Sequence, residues 1–140
     1  MIVHEVPNIR IEWLASERVL KKTCTGYMPS EVLRGAYEAA LACLVQNKGT
    51  KAFSDNRELF PIAQVDLEWM QREWLRRMVA AGWRSWAVLS PSTALGAMTV
   101  RRWTAIYREH GIAVEAFETE DSALAWLREQ PDTAALSGTR

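Results

Sequence analysis

Side chains that could cross-link the chain or hold a metal are scarce: 140 residues contain two cysteines and two histidines. Cys24 and Cys43 form no C-x-x-C pair and fall in segments that read as a strand and a buried helix face, so both are expected to be reduced core thiols. His4 lies on a first strand and His110 at a helix end. Neither has a second ligand four residues on, so no metal set is expected. Net charge of one sign is missing as well, with 17 basic against 17 acidic side chains. Without a long-range positive field, nucleic acid is not an expected partner. No apolar run approaches the roughly 20 residues that span a bilayer. The opening Met1-Ile2-Val3-His4-Glu5-Val6-Pro7 is broken by a histidine, an acid and a proline, so it does not read as a secretion signal, and the expected location is cytoplasmic. A G-x-S-x-G elbow, a phosphate loop and a dinucleotide fingerprint are all missing. The expectation is a protein that is not an enzyme and carries no cofactor, a small hydrolase being the catalytic class left over.

What is present is a globular balance of 49% hydrophobic and 24% charged residues. The length suits one domain over residues 1–130, followed by a tail at 131–140 that reads as disordered. Seven tryptophans stand out, expected to fill a core and leave some indole at the surface.

Ile9, Ile11 and Trp13 alternate with Asn8, Arg10 and Glu12, the period of a half-buried strand. Three strands at about 2–6, 9–14 and 18–25 form an antiparallel meander. Helical spacing begins after Pro29-Ser30, with Ser30 as a cap, and puts Val32, Leu33, Ala36, Tyr37, Ala40, Leu41, Cys43 and Leu44 on one side. Residues 51–54 read as a short strand. A second helix starts near Asp66 as N-cap and stops at Gly82. On it Leu67, Met70, Trp74, Leu75 and Met78 share one arc, and Trp69, Arg72, Glu73 and Arg76 the opposite one. Residues 83–89 read as a central parallel strand covered on both faces. Ser90-Pro91-Ser92-Thr93 announces a third helix with Pro at a first helical position, whose apolar face holds Leu95, Val100, Trp103, Ile106, Tyr107 and His110. A last strand at 112–117 and a helix opened by Thr119-Glu120-Asp121-Ser122 complete the chain. The alternation implies an α/β fold: one mixed, mostly parallel sheet with an N-terminal antiparallel flank and about four helices.

That succession, with Phe53-Ser54-Asp55-Asn56-Arg57, Asp66-Leu67-Glu68-Trp69, Ala81-Gly82-Trp83-Arg84-Ser85-Trp86-Ala87-Val88 and the stretch from Phe117 to Leu127, resembles the STAS-like bacterial family. These domains are similar to the sporulation anti-sigma factor antagonist and related to CRAL-TRIO lipid-transfer domains. The likeness spans roughly residues 10–128. It implies a non-catalytic regulatory domain in bacterial signalling that binds a protein partner, often switched by phosphorylation of a serine after a central strand. At that switch the sequence departs: the family reads Asp-Ser-Ser/Thr-Gly, whereas here Ser54 precedes Asp55 and no second hydroxyl or glycine follows. Phosphorylation of Ser54 is therefore not expected.

Functional groups of an open parallel sheet gather at the carboxyl ends of its strands. The loops expected there are Gly26-Tyr27-Met28, Ser54-Asp55-Asn56-Arg57 and Ser90-Pro91-Ser92-Thr93. They could hold a small anion or a partner's backbone; alternatively Asp55 and Arg57 pair locally and the hydroxyls only cap helices. Trp69, Arg72 and Arg76 form an outer stripe that suits an interface, unless Trp69 packs under Phe60-Pro61-Ile62 with Arg76 on its ring. Two functional classes remain. A protein-binding regulator, with a homodimer among the options, predicts an exposed Trp69. A carrier or sensor of a small lipid-like ligand predicts a dry cavity lined by Met70, Met78, Trp103 and Tyr107.

Overall fold

A computed structural model describes residues 1–132. The chain forms a six-stranded sheet with strictly sequential order, β1 (Ile2–Val6), β2 (Ile9–Leu14), β3 (Val19–Cys24), β4 (Lys51–Asp55), β5 (Ser85–Leu89) and β6 (Ala113–Phe117). β1, β2 and β3 pair antiparallel, and β3 to β6 pair parallel. Helix α1 (Ser30–Asn47) connects β3 to β4. Helix α2 runs over 64–81 as Gln64–Trp69, one π turn at Met70–Trp74, and Leu75–Ala81. Helix α3 is Ala94–Glu109 and α4 is Glu120–Arg128. This is the expected α/β architecture. The tail expected to be disordered lies, from residue 133, outside the described residues.

The register explains the layers. Leu20, Ala52, Trp86 and Val114 stand abreast on β3 to β6 and join one core cluster with buried residues of α1, α2 and α3. One residue further on, Phe53 and Ala87 point the other way, into a second cluster with Leu127 and Ala123 of α4. All three crossover helices thus cover one face and α4 the other, as follows when every crossover turns the same way along a sequentially ordered sheet. β5 is buried at all five positions because both faces are covered at the centre.

The apolar face read for α1 is the one that is buried: Leu33, Ala36, Tyr37, Ala40, Leu41, Cys43 and Leu44. Its N-cap is Pro29 rather than Ser30. The helix ends at Lys48, whose φ of 53° lies in the left-handed region. α2 closes at Gly82 with φ 118°, a conformation only glycine adopts without strain. No tryptophan is fully exposed: Trp13, Trp74, Trp83, Trp86 and Trp103 are buried, and Trp69 and Trp126 half-buried. Ring contacts link Trp69, Tyr37, Trp74, Trp83, Trp86 and Tyr107 into a continuous aromatic chain with centroid separations of 4.7–6.4 Å.

Candidate functional site

At the carboxyl edge the residues singled out from the sequence divide sharply. Ser54 is buried at 4% exposure, on the helix-covered face, where its Oγ accepts a 2.9 Å hydrogen bond from Trp86 Nε1. Asn56 is fully buried, and neither its Oδ1 nor its Nδ2 has a hydrogen-bond partner among the described residues. Ser54 and Asn56 therefore cannot form part of a contact surface: period-2 alternation at the end of a central strand sends both side chains inward. Asp55 and Arg57 do pair locally, with Arg57 Nε and Nη2 donating to the two carboxylate oxygens at 3.0 and 2.8 Å. Hydrogen bonding from Arg57 is the main reason the Asp55 carboxyl is held below its usual range. Ser92 and Thr93 are exposed and Ser90 half-buried. Thr93 caps α3, its Oγ1 accepting from Gly96 N at 3.0 Å. α3 therefore starts three residues later than Pro91, and that proline stands in the loop instead of at a first helical position. A Cβ on Gly96 would sit 2.6 Å from Pro91 Cβ, so only glycine lets the loop fold onto the first turn. The sheet order also contains no reversal, so the crevice that strand-end sites of doubly wound sheets occupy is not formed.

The outer stripe on α2 dissolves. Trp69 is half-buried against α1, its ring 6.4 Å from that of Tyr37 and 5.1 Å beneath the Arg34 guanidinium. The cation over its ring is Arg34 and not Arg76. The cause is the π turn at Met70–Trp74, which inserts one residue into the helical count. Upstream of it every position is rotated by about 100° relative to a regular helix, bringing Trp69 and Asp66 round to the core side. Arg72 and Arg76 remain exposed, without the indole. Asp66, read as the N-cap, instead lies in the first turn at 1% exposure, its carboxylate accepting from Ser30 Oγ at 2.8 Å and Arg34 Nε at 3.0 Å. Ala63 takes the N-cap position.

A different surface emerges. A furrow follows the carboxyl edge, its polar stretch walled by Arg57, Ser90, Ser92 and Thr93. It continues past Phe60, Pro61 and Pro91 into an apolar groove of about 280 Å³ between the 59–62 loop, the start of α2 and the N-terminal half of α3. Leu67, Leu95, Val100 and Trp103 line that groove, and Arg102 stands at its wall. Phe60, Val65, Leu95 and Met98 are exposed by 56, 58, 69 and 49%, an unusual concentration of large apolar side chains in two adjoining segments. Leu95 was expected in the core. At about 100° per residue it lies roughly 130° from the arc of Val100, Trp103, Thr104 and Tyr107, and Met98 lies roughly opposite that arc. That angular displacement is the signal by which the sequence could have revealed them. Residues 59–62 carry no periodicity and offer no such signal.

Behind the groove, between sheet and helices, lies an interior cavity. It is lined by Met70, Met78, Trp103 and Tyr107, as a ligand carrier would have them, together with Lys22, Tyr37 and several tryptophans. Its volume is about 30 Å³, on the scale of one or two waters and far below a lipid-like ligand. No group of three or more metal-binding side chains converges among the described residues, and no helix among them is long and apolar enough to cross a membrane. Compared with models of protein families, with curated proteins and with solved structures, the chain has no significant match in any of the three.

Proposed function

We propose that this chain is a non-catalytic binding domain of the STAS-like type, acting in regulation by engaging a protein partner. The observation that carries the reading is the apolar groove between the 59–62 loop and α3, with four exposed large hydrophobic side chains on the segments around it. Exposed apolar patches of this kind are retained where a partner covers them, because water otherwise orders against them at a cost. Arg102 at the groove and Arg57 in the adjoining furrow favour a partner segment whose apolar anchors are bordered by carboxylates. The sequence likeness points the same way, since its relatives are expected to work through partners.

The carrier alternative draws no support from the interior cavity, which is an order of magnitude too small. Ser54 is poorly placed as a phosphorylation switch, being 4% exposed with its hydroxyl engaged by Trp86.

A photo-cross-linker installed at Met98 tests the assignment in native lysate, with one at Arg76 as control. A discrete protein adduct at position 98 that is lost in Phe60→Ser/Leu95→Ser, with the melting midpoint unchanged, is expected. An adduct at Arg76 alone, or one insensitive to the double substitution, would move the surface back to the outer face of α2.

A further inference from the structure

We infer that the occupant of the apolar groove is a second copy of this chain, the two copies docking about a two-fold axis so that the loop at 58–62 of each lies on α3 of the other. Such an occupancy presupposes that the groove is a docking surface and specifies what docks there.

The surface carries both halves of its own complement. Phe60 is exposed on the loop, an aromatic anchor of the kind that dominates interface energetics. Across the groove, Leu95 and Met98 of α3 are exposed and offer apolar ground for such a ring. Glu58, two residues before Phe60, is exposed in the adjoining furrow, and its carboxylate has no ion-pair partner among the described residues, since the neighbouring Arg57 is held by Asp55. Arg102 is exposed at the groove wall, and its guanidinium likewise has no ion-pair partner among the described residues. At about 100° per residue Leu95 and Arg102 lie roughly 20° apart on α3 and Met98 roughly 60° from Leu95, so the three share one stripe.

An isologous interface requires a single patch that complements itself. Here an apolar side chain bordered by an acid adjoins an apolar groove bordered by an arginine. Within one chain the acid and the arginine do not pair, whereas across a two-fold axis each can meet the other's. The chain has 17 basic and 17 acidic side chains, so two copies approach without net repulsion. The sheet edges are blunted against self-pairing. On β6, Ala113 N donates to Arg84 O at 2.9 Å, so the Val114 carbonyl, one residue on, faces the free edge, where Arg108 Nη2 donates to it at 2.8 Å. On β1, the register breaks in a bulge between Ile2 and His4.

Sedimentation of the purified full chain over about a hundred-fold range of concentration tests this pairing, and a reversible monomer–dimer equilibrium is expected. Glu58→Arg and Arg102→Glu are each expected to weaken the dimer about ten-fold or more by setting like charges face to face, and the two combined in one chain to restore it to within about three-fold. Both positions are exposed, and unchanged circular dichroism checks that the variants fold. In the purified protein, a photo-cross-linker at Met98 is expected to join two chains, with the far end of the link in residues 58–62. A monomer at every concentration, a dimer indifferent to both charge reversals, or a double variant as weak as the single ones would overturn the self-pairing. A monomer whose Met98 cross-linker captures a different protein in lysate, in a manner sensitive to Phe60→Ser/Leu95→Ser, would leave the docking surface standing and remove only its occupant; a monomer with no such adduct would remove both.

Discussion

Arg34 of α1 donates a 3.0 Å hydrogen bond to Asp66 of α2, a carboxylate 1% exposed, while its guanidinium lies over the Trp69 ring. Ser30 supplies the carboxylate with a second donor. This cluster joins the starts of two helices, and Leu67, the residue after Asp66, lines the apolar groove. The pair is asymmetric: the arginine side chain is 38% exposed and could be hydrated without its partner, whereas the carboxylate could not. Arg34→Met is therefore expected to cost about 3–5 kcal/mol and Asp66→Ala about 1–3 kcal/mol. Denaturant midpoints of both variants check this, and the opposite ranking would show that the carboxylate is better hydrated than its burial implies.

Trp103→Ala is expected to cost about 3–5 kcal/mol, because a residue at 7% exposure leaves a void beside a cavity that already exists. Trp69→Ala forfeits a half-buried ring and its contacts with Tyr37 and Arg34, about 1–2 kcal/mol. Urea titrations that ranked Trp69 above Trp103 would contradict the assigned faces.

Stability is expected to fall on the alkaline side. Burial holds the phenols of Tyr37 and Tyr107 above their ordinary range and raises the Cys24 thiol too. Below the unfolded values, about 8.5 for Cys and 10 for Tyr, both states keep their protons and the full stability is present. Above them the unfolded chain releases protons that the folded chain retains, so stability declines as pH rises toward the folded values. Midpoints measured from pH 8 to 11 should show this decline, with a shallower slope in Tyr107→Phe; parallel curves would argue that the phenol is hydrated.

Ser85 Oγ is buried at the amino end of β5 without a hydrogen-bond partner among the described residues, so its desolvation is uncompensated there. Ser85→Ala is expected to be neutral or to stabilise by up to about 1 kcal/mol. A loss above that amount in chemical denaturation would reveal a bound water that the hydroxyl needs.

The strands β1 to β3, the buried side of α1 and the closure of α2 at Gly82 were all legible in the sequence, because each depends on a local period or a single residue's backbone preference. Alternation of Ile9, Ile11 and Trp13 with polar neighbours specifies a face whatever it packs against. The candidate site was legible only in part. Thr93 as a cap and the local pairing of Asp55 with Arg57 follow from neighbours in the chain. The inward turn of Ser54 and Asn56 depends on which layer lies above β4. The position of Trp69 depends on one extra residue in a single helical turn, at Met70–Trp74, with no breaker residue to announce it. The groove exists because the 59–62 loop and α3 meet after two crossovers, and the lining of the interior pocket is drawn from β3, β4, β5, α1, α2 and α3. Periodicity is a property of adjacent residues and could be read directly, but what stands opposite a side chain is decided by packing between segments distant in sequence, and that only the tertiary structure could settle.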